Sequence, residues 1–96
     1  MIKIKQFTKT RFACPAQWEC LTDDGKYVYI RYRNGYLRAG IADSEEKFWN
    51  QDNFKNLYNI FNENIGEEHD GFMEFDEMKL ILNDKLDFSL AIENFE

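Results

Sequence analysis

The sequence predicts one α+β domain over residues 1–96: an antiparallel sheet of four to five strands, an N-terminal meander plus a C-terminal strand, packed on two to three helices. Three observations predict it. Alternating, β-branched and aromatic segments punctuated by glycine turns fill residues 2–41. Helix-start chemistry and 3.6-residue spacing follow from Asp43 onward. An alternating apolar segment closes the chain at residues 86–93.

The elements follow in order. Ile2 and Ile4 alternate with Lys3 and Lys5, which makes residues 2–7 a strand. Thr8, Thr10 and Pro15 mark residues 8–16 as a loop, and residues 17–22 form a second strand. The segment TDDGK is a turn whose Gly25 suits a left-handed backbone. YVYIRYR, residues 27–33, is the strongest strand signal in the chain. Asn34-Gly35 signals a two-residue hairpin, and residues 36–41 return as the next strand.

Asp43-Ser44-Glu45-Glu46 reads as a capped helix start, its acids favoured by the helix dipole, with Phe48 and Trp49 as anchors. Phe54, Leu57, Tyr58, Phe61 and Ile65 share one face at helical spacing and predict a second helix. Residues 66–71 are a polar loop. Residues 76–83 predict a third helix with Met78, Ile81 and Leu82 inward. Leu86, Phe88, Leu90 and Ile92 then alternate as a half-buried strand.

A two-residue turn at Asn34-Gly35 fixes a register: Arg33 opposite Tyr36, Tyr32 opposite Leu37, Arg31 opposite Arg38 and Ile30 opposite Ala39. One face then carries Val28, Ile30, Tyr32, Leu37, Ala39 and Ile41, and this face is core. The other carries Tyr27, Tyr29, Arg31, Arg33, Tyr36 and Arg38. A three-residue loop at TDDGK adds Trp18 and Cys20 to the core face, and Gln17 and Glu19 to the polar face. Arginine with tyrosine suits stacking and bidentate contact with phosphate or carboxylate, so these six residues are a candidate ligand- or partner-binding face.

Charge is unevenly spread. Residues 1–42 hold eight basic residues against three acids, a net of +5; residues 43–96 hold fifteen acids against four lysines, a net of −11. Glu67, Glu68, Asp70, Glu74, Asp76 and Glu77 form the densest acidic run. Such a surface can imitate the phosphate line of a nucleic acid and occupy a basic groove, which makes these residues a second candidate partner-binding surface. Internal pairing of acidic helices over a basic sheet, and plain solubility, are the ordinary alternatives.

Residues 66–77, GEEHDGFMEFDE, resemble an EF-hand calcium loop through Glu68, Asp70-Gly71, Met73, Glu74 and Glu77. The resemblance implies calcium ligation by Glu68, Asp70, Glu74 and Glu77 between two helices. Gly66 stands where that family places its first aspartate, and this departure counts against the implied site. No other metal spacing and no glycine-rich phosphate loop occurs, so no cofactor is expected. His69, Cys14 and Cys20 form no nucleophile–base constellation, so catalysis is not expected either.

The N-terminal MIKIKQFTK lacks the apolar stretch of a signal peptide, and no apolar run is long enough to span a membrane. Cys14 and Cys20 are therefore expected as reduced thiols in a cytoplasm. The stretch CPAQWECLTDDGKYVYIRYRNGYL is similar to segments of small uncharacterised phage and bacterial proteins sharing a CPxQWE…DGxxVYIRYRxGxL pattern, from which Cys20 and Asn34 depart. More broadly, a small acidic, aromatic-rich chain resembles phage anti-defence inhibitors, anti-CRISPR and anti-restriction proteins among them, and toxin-neutralising immunity proteins. That resemblance implies a non-enzymatic inhibitor in a bacterial cytoplasm. Its acidic surface would bind a host nuclease or other nucleic-acid-handling protein. The alternative is a module that binds nucleic acid, a nucleotide or another anion through the arginine–tyrosine face.

Overall fold

A computed structural model describes residues 1–13, 15–50 and 57–94. Five strands form an antiparallel meander: β1 (Ile2–Arg11), β2 (Ala16–Thr22), β3 (Tyr27–Arg33), β4 (Tyr36–Ala42) and β5 (Tyr58–Asn64), with helix α1 (Glu45–Asn50) after β4. Helix α2 (Phe75–Ile81) leads to two short strands, β6 (Leu86–Asp87) and β7 (Ile92–Glu93). The sheet runs β5-β4-β3-β2-β1-β6, and β7 also pairs with β1. The class is α+β, but the sheet has seven strands rather than four or five, with two helices among the described residues.

The two turns act as their sequences require. Asn34 and Gly35 both have positive φ, at 53° and 79°, as a two-residue hairpin turn demands. Arg33–Tyr36, Tyr32–Leu37, Arg31–Arg38 and Ile30–Ala39 are paired as that turn dictates. Gly25, at φ 84°, closes the β2–β3 loop, where the Thr22 and Lys26 backbones meet and the Lys26 N–H also donates to Thr22 Oγ1 at 2.8 Å.

Alternation sorts the strands onto two faces. On one, Trp18, Cys20, Val28, Ile30, Tyr32, Leu37 and Ala39 are buried with Met73, Met78 and Leu82, so α2 and the segment before it cover this face. Phe7 stacks on Phe75 with ring centroids 4.3 Å apart, and Phe88 meets both edge-on. On the other face a smaller cluster forms, with Phe48 of α1 packed on Tyr27, Tyr29 and Ala42. Ser44 caps α1, its Oγ accepting the Lys47 N–H at 3.1 Å.

Three expectations are corrected. The first is the loop over residues 8–16. β1 continues to Arg11, because β-branched Thr8 and Thr10 suit a strand and β2 offers them partners.

The second is the helix drawn through Phe54, Leu57, Tyr58, Phe61 and Ile65. Residues 58–64 are strand β5, and Phe54 lies outside the described residues. Phe61 lies opposite Ala39, and Ile60 and Phe61 pack against the main core, so pairing with β4 outweighs helical spacing.

The third is the closing strand, which is broken in two. Asp87 Oδ1 accepts the Ser89 N–H and Phe88 O accepts the Ala91 N–H, forming a turn between β6 and β7. Leu86 and Phe88 are buried as expected, but Leu90 and Ile92 are 86% and 68% exposed.

Candidate anion-binding face

The polar face of β3 and β4 is divided by α1. Phe48 lies 4.9 Å from the Tyr27 ring and 5.2 Å from the Tyr29 ring, centroid to centroid, leaving these tyrosines 1% and 6% exposed. Their hydroxyls point along the sheet to β2: Tyr27 donates to Glu19 Oε1 at 2.8 Å and Tyr29 to Gln17 Oε1 at 2.7 Å. Burial pushes both phenols up, and for Tyr27 the bonded Glu19 carboxylate adds to the shift. Of the six residues assigned to the binding face, Tyr27 and Tyr29 are therefore structural. The sequence places them on the polar side correctly but gives no sign that α1 folds over them.

Beyond α1 the same face carries Arg31, Arg33, Tyr36 and Arg38. With Asn34 and Asn62 these line an open pocket of about 300 Å³. Tyr36 is 51% exposed there. Asn62 arrives because β5 is a strand, pairing directly with Arg38. Arg11 joins through the extension of β1: it is opposite Gln17, which is opposite Arg31. The positive charges of Arg31, Arg11 and Arg38 all act on the Tyr29 phenol against the burial that raises it. The chain has four arginines, Arg11, Arg31, Arg33 and Arg38, and all sit on this face. Arg11 was missed in the sequence because residues 8–16 read as loop, and alternation alone sets it on the core side with Phe7 and Lys9; a register shift between Lys9 and Arg11 brings it opposite Gln17.

Arginines aligned this way suit an acceptor-rich anion, since each guanidinium offers a fork of donors to phosphate or carboxylate oxygens. Arg31 lies directly opposite Arg38, a like-charge cross-strand pair.

The acidic run lies at the tip of the same hairpin. Gly35 N–H donates to Asp70 O at 2.9 Å, and Gly35 O accepts from Ile65 and Gly66 N–H at 2.8 and 3.1 Å. Asp70 Oδ2 accepts from Glu67 N–H at 3.2 Å and from the Tyr32 hydroxyl at 3.4 Å. Glu67, Glu68, Asp70, Glu74, Asp76 and Glu77 are all exposed, the last two in the first turn of α2 where the dipole favours acids.

The element entering residues 66–77 is strand β5, so the helix–loop–helix frame of an EF-hand is not built around Glu68, Asp70, Glu74 and Glu77. Among the described residues no three His, Cys, Asp or Glu side chains are gathered to hold a metal ion. Cys20 is buried, and desolvation holds its thiol well above the usual range; Cys14 lies outside the described residues. No helix among the described residues is long and apolar enough to cross a membrane. No family model, curated protein or solved structure matches the chain.

Proposed function

We propose that this protein is a non-enzymatic binding module that takes an anionic partner on the face formed by Arg31, Arg33, Tyr36 and Arg38. One observation carries the proposal: every arginine of the chain lies on one face of the sheet, three of them lining a single pocket. Charge gathered this way raises the local concentration of anions and speeds their capture. The test is a tagged pull-down from bacterial lysate with and without nuclease treatment, run on Arg31→Ala, Arg38→Ala and Glu67→Lys/Glu68→Lys variants. Recovery falls with either arginine variant and survives the lysine pair. The opposite order of effects refutes the proposal.

A second reading rests on the clamp at the hairpin tip. The hydrogen bond from Gly35 N–H to Asp70 O and those from Ile65 and Gly66 N–H to Gly35 O hold the acidic loop in place, so presenting Glu67 and Glu68 costs less backbone ordering on binding. In this reading the protein is a phage-encoded anti-defence inhibitor of the anti-CRISPR kind, working in a bacterial cytoplasm. It seats Glu67, Glu68, Glu74, Asp76 and Glu77 in the basic groove of a nuclease or other nucleic-acid-binding host protein. Asp70, exposed on the same surface, also holds the loop, since its Oδ2 accepts from Glu67 N–H and the Tyr32 hydroxyl. The lysine pair then abolishes recovery of a protein that persists after nuclease treatment.

A further inference from the structure

We infer that the β1–β2 end of the sheet carries a second site, a pocket lined by Glu19 and Glu45 that takes a ligand bearing a primary ammonium group. The pocket has a volume of about 210 Å³ and shares no lining residue with the pocket of Arg31, Arg33 and Arg38. Separate parts of the chain build it. The paired strands β1 and β2 form the floor, α1 contributes Glu45, and the residue after β7 contributes Asn94. On the floor Thr8 lies directly opposite Glu19, and side chains opposed in this way stand roughly 5 Å apart at their β-carbons. Asn94 is fixed to β1: its N–H donates to Phe7 O at 2.8 Å, and its Nδ2 donates to Gln6 Oε1 at 2.8 Å. The pocket is thus assembled before a ligand arrives, which lowers the ordering cost of binding.

Charge decides the sign of the ligand. Glu19 and Glu45 line the pocket, and no lysine, arginine or histidine does. Both carboxylates push the Tyr27 phenol in the same direction as its burial, so the potential at this end of the sheet is negative. Hydrogen-bonding capacity decides the headgroup. Glu19 Oε1 accepts from the Tyr27 hydroxyl at 2.8 Å. Glu19 Oε2, both Glu45 oxygens, the Thr8 hydroxyl and Asn94 Oδ1 have no hydrogen bond or ion pair among the described residues. Glu19 is half-buried, so its open oxygen carries a desolvation cost that a donor offsets. A primary ammonium places three donors and a positive charge on one nitrogen, which matches these acceptors. A quaternary ammonium has the charge but nothing to donate. A guanidinium donates within one plane, whereas these acceptors come from a floor and two flanking segments.

The experiment is a titration of the full chain, followed by proton–nitrogen correlation spectra at constant ionic strength. The probes are n-butylammonium, tetramethylammonium, n-butanol and a capped Gly-Lys-Gly peptide. Butylammonium should shift the signals of Thr8, Glu19 and the Gln6 and Asn94 side-chain amides, and saturate. Tetramethylammonium should bind about tenfold more weakly, and butanol not at all. Glu19→Gln and Glu45→Gln should each weaken butylammonium about tenfold. Glutamine at position 19 keeps an acceptor for the Tyr27 hydroxyl and Glu45 is exposed, so both variants should keep their melting temperature. Glu68→Gln, exposed and outside the pocket, should change nothing. If the peptide binds more tightly than butylammonium at the same signals, the ammonium is a lysine side chain; if more weakly, it is a free amine.

Tetramethylammonium binding as tightly as butylammonium, or Glu68→Gln weakening it as much as Glu45→Gln, would reduce the effect to diffuse charge and overturn the site. Shifts that spare Thr8, Glu19 and Asn94, or no shifts at all, would overturn it as well. Each of these results leaves the anion-binding face standing, since its residues line a different pocket.

Discussion

The Tyr32 hydroxyl sits where a β-carbon on Gly66 would have to go, and it also reaches Asp70 Oδ2 at 3.4 Å. The acidic loop thus closes over the hairpin only because residue 66 has no side chain. Gly66→Ala should lower the free energy of unfolding by about 1–3 kcal/mol through overpacking. Tyr32→Phe removes the obstructing oxygen, so the double variant should recover part of that loss. Urea unfolding of the four proteins of this cycle checks it; strictly additive losses would mean that the two residues do not compete for the same space.

Two glycines with positive φ allow a controlled comparison. At Gly25 an added β-carbon meets nothing within 4 Å, so alanine there bears only the backbone penalty, about 1 kcal/mol. At Gly35 it would lie 2.5 Å from the Glu67 carbonyl oxygen and 2.6 Å from that of Gly66. Neither oxygen can swing away as a side chain could. Gly35→Ala should therefore cost clearly more than Gly25→Ala, by about 1–3 kcal/mol of added strain. Equal losses in thermal or urea unfolding would show that the loop is not clamped to the turn.

Alkaline pH should unfold the protein progressively. Burial raises the Cys20 thiol and the Tyr27, Tyr29 and Tyr32 phenols, so the folded state keeps protons that the unfolded chain releases above about pH 8.5 for cysteine and about pH 10 for tyrosine. Above those values the unfolded state binds fewer protons, and stability falls as pH rises. The contribution is fully present below about pH 8.5. For Cys20 the slope approaches about 1.4 kcal/mol per pH unit once the unfolded thiol is ionised. Urea midpoints measured from neutral to alkaline pH should decline in two stages. Cys20→Ala should remove the first stage, and Tyr27→Phe should flatten the second.

The legible parts of the fold were those set by turns. Asn34-Gly35 and Gly25 each impose a register, and period-two alternation carries that register across β2, β3 and β4; Arg31 opposite Arg38 and the burial of Trp18 follow from nothing more. What sequence could not show was decided by distant partners. Phe48 takes Tyr27 and Tyr29 out of the binding face from fifteen or more residues away. β5 looks helical because Leu57, Tyr58, Phe61 and Ile65 happen to match a period that a short strand does not exclude. The pairing of β4 with Asn62, and of β2 with Arg11, then adds two residues to the face that alternation in β3 and β4 alone could not supply.

That competition between spacing and pairing can be tested at Asn64. It is exposed, belongs to β5 and lies directly opposite Tyr36. In a helix, alanine stabilises relative to asparagine by several tenths of a kcal/mol, and threonine brings no gain. In a strand the order reverses, because a β-branched side chain packs against the ring across the ladder, for about 0.2–1 kcal/mol. Asn64→Thr should therefore raise the melting temperature while Asn64→Ala leaves it unchanged or lowers it. The reverse order would return this segment to a helix and, with it, remove Asn62 from the arginine face.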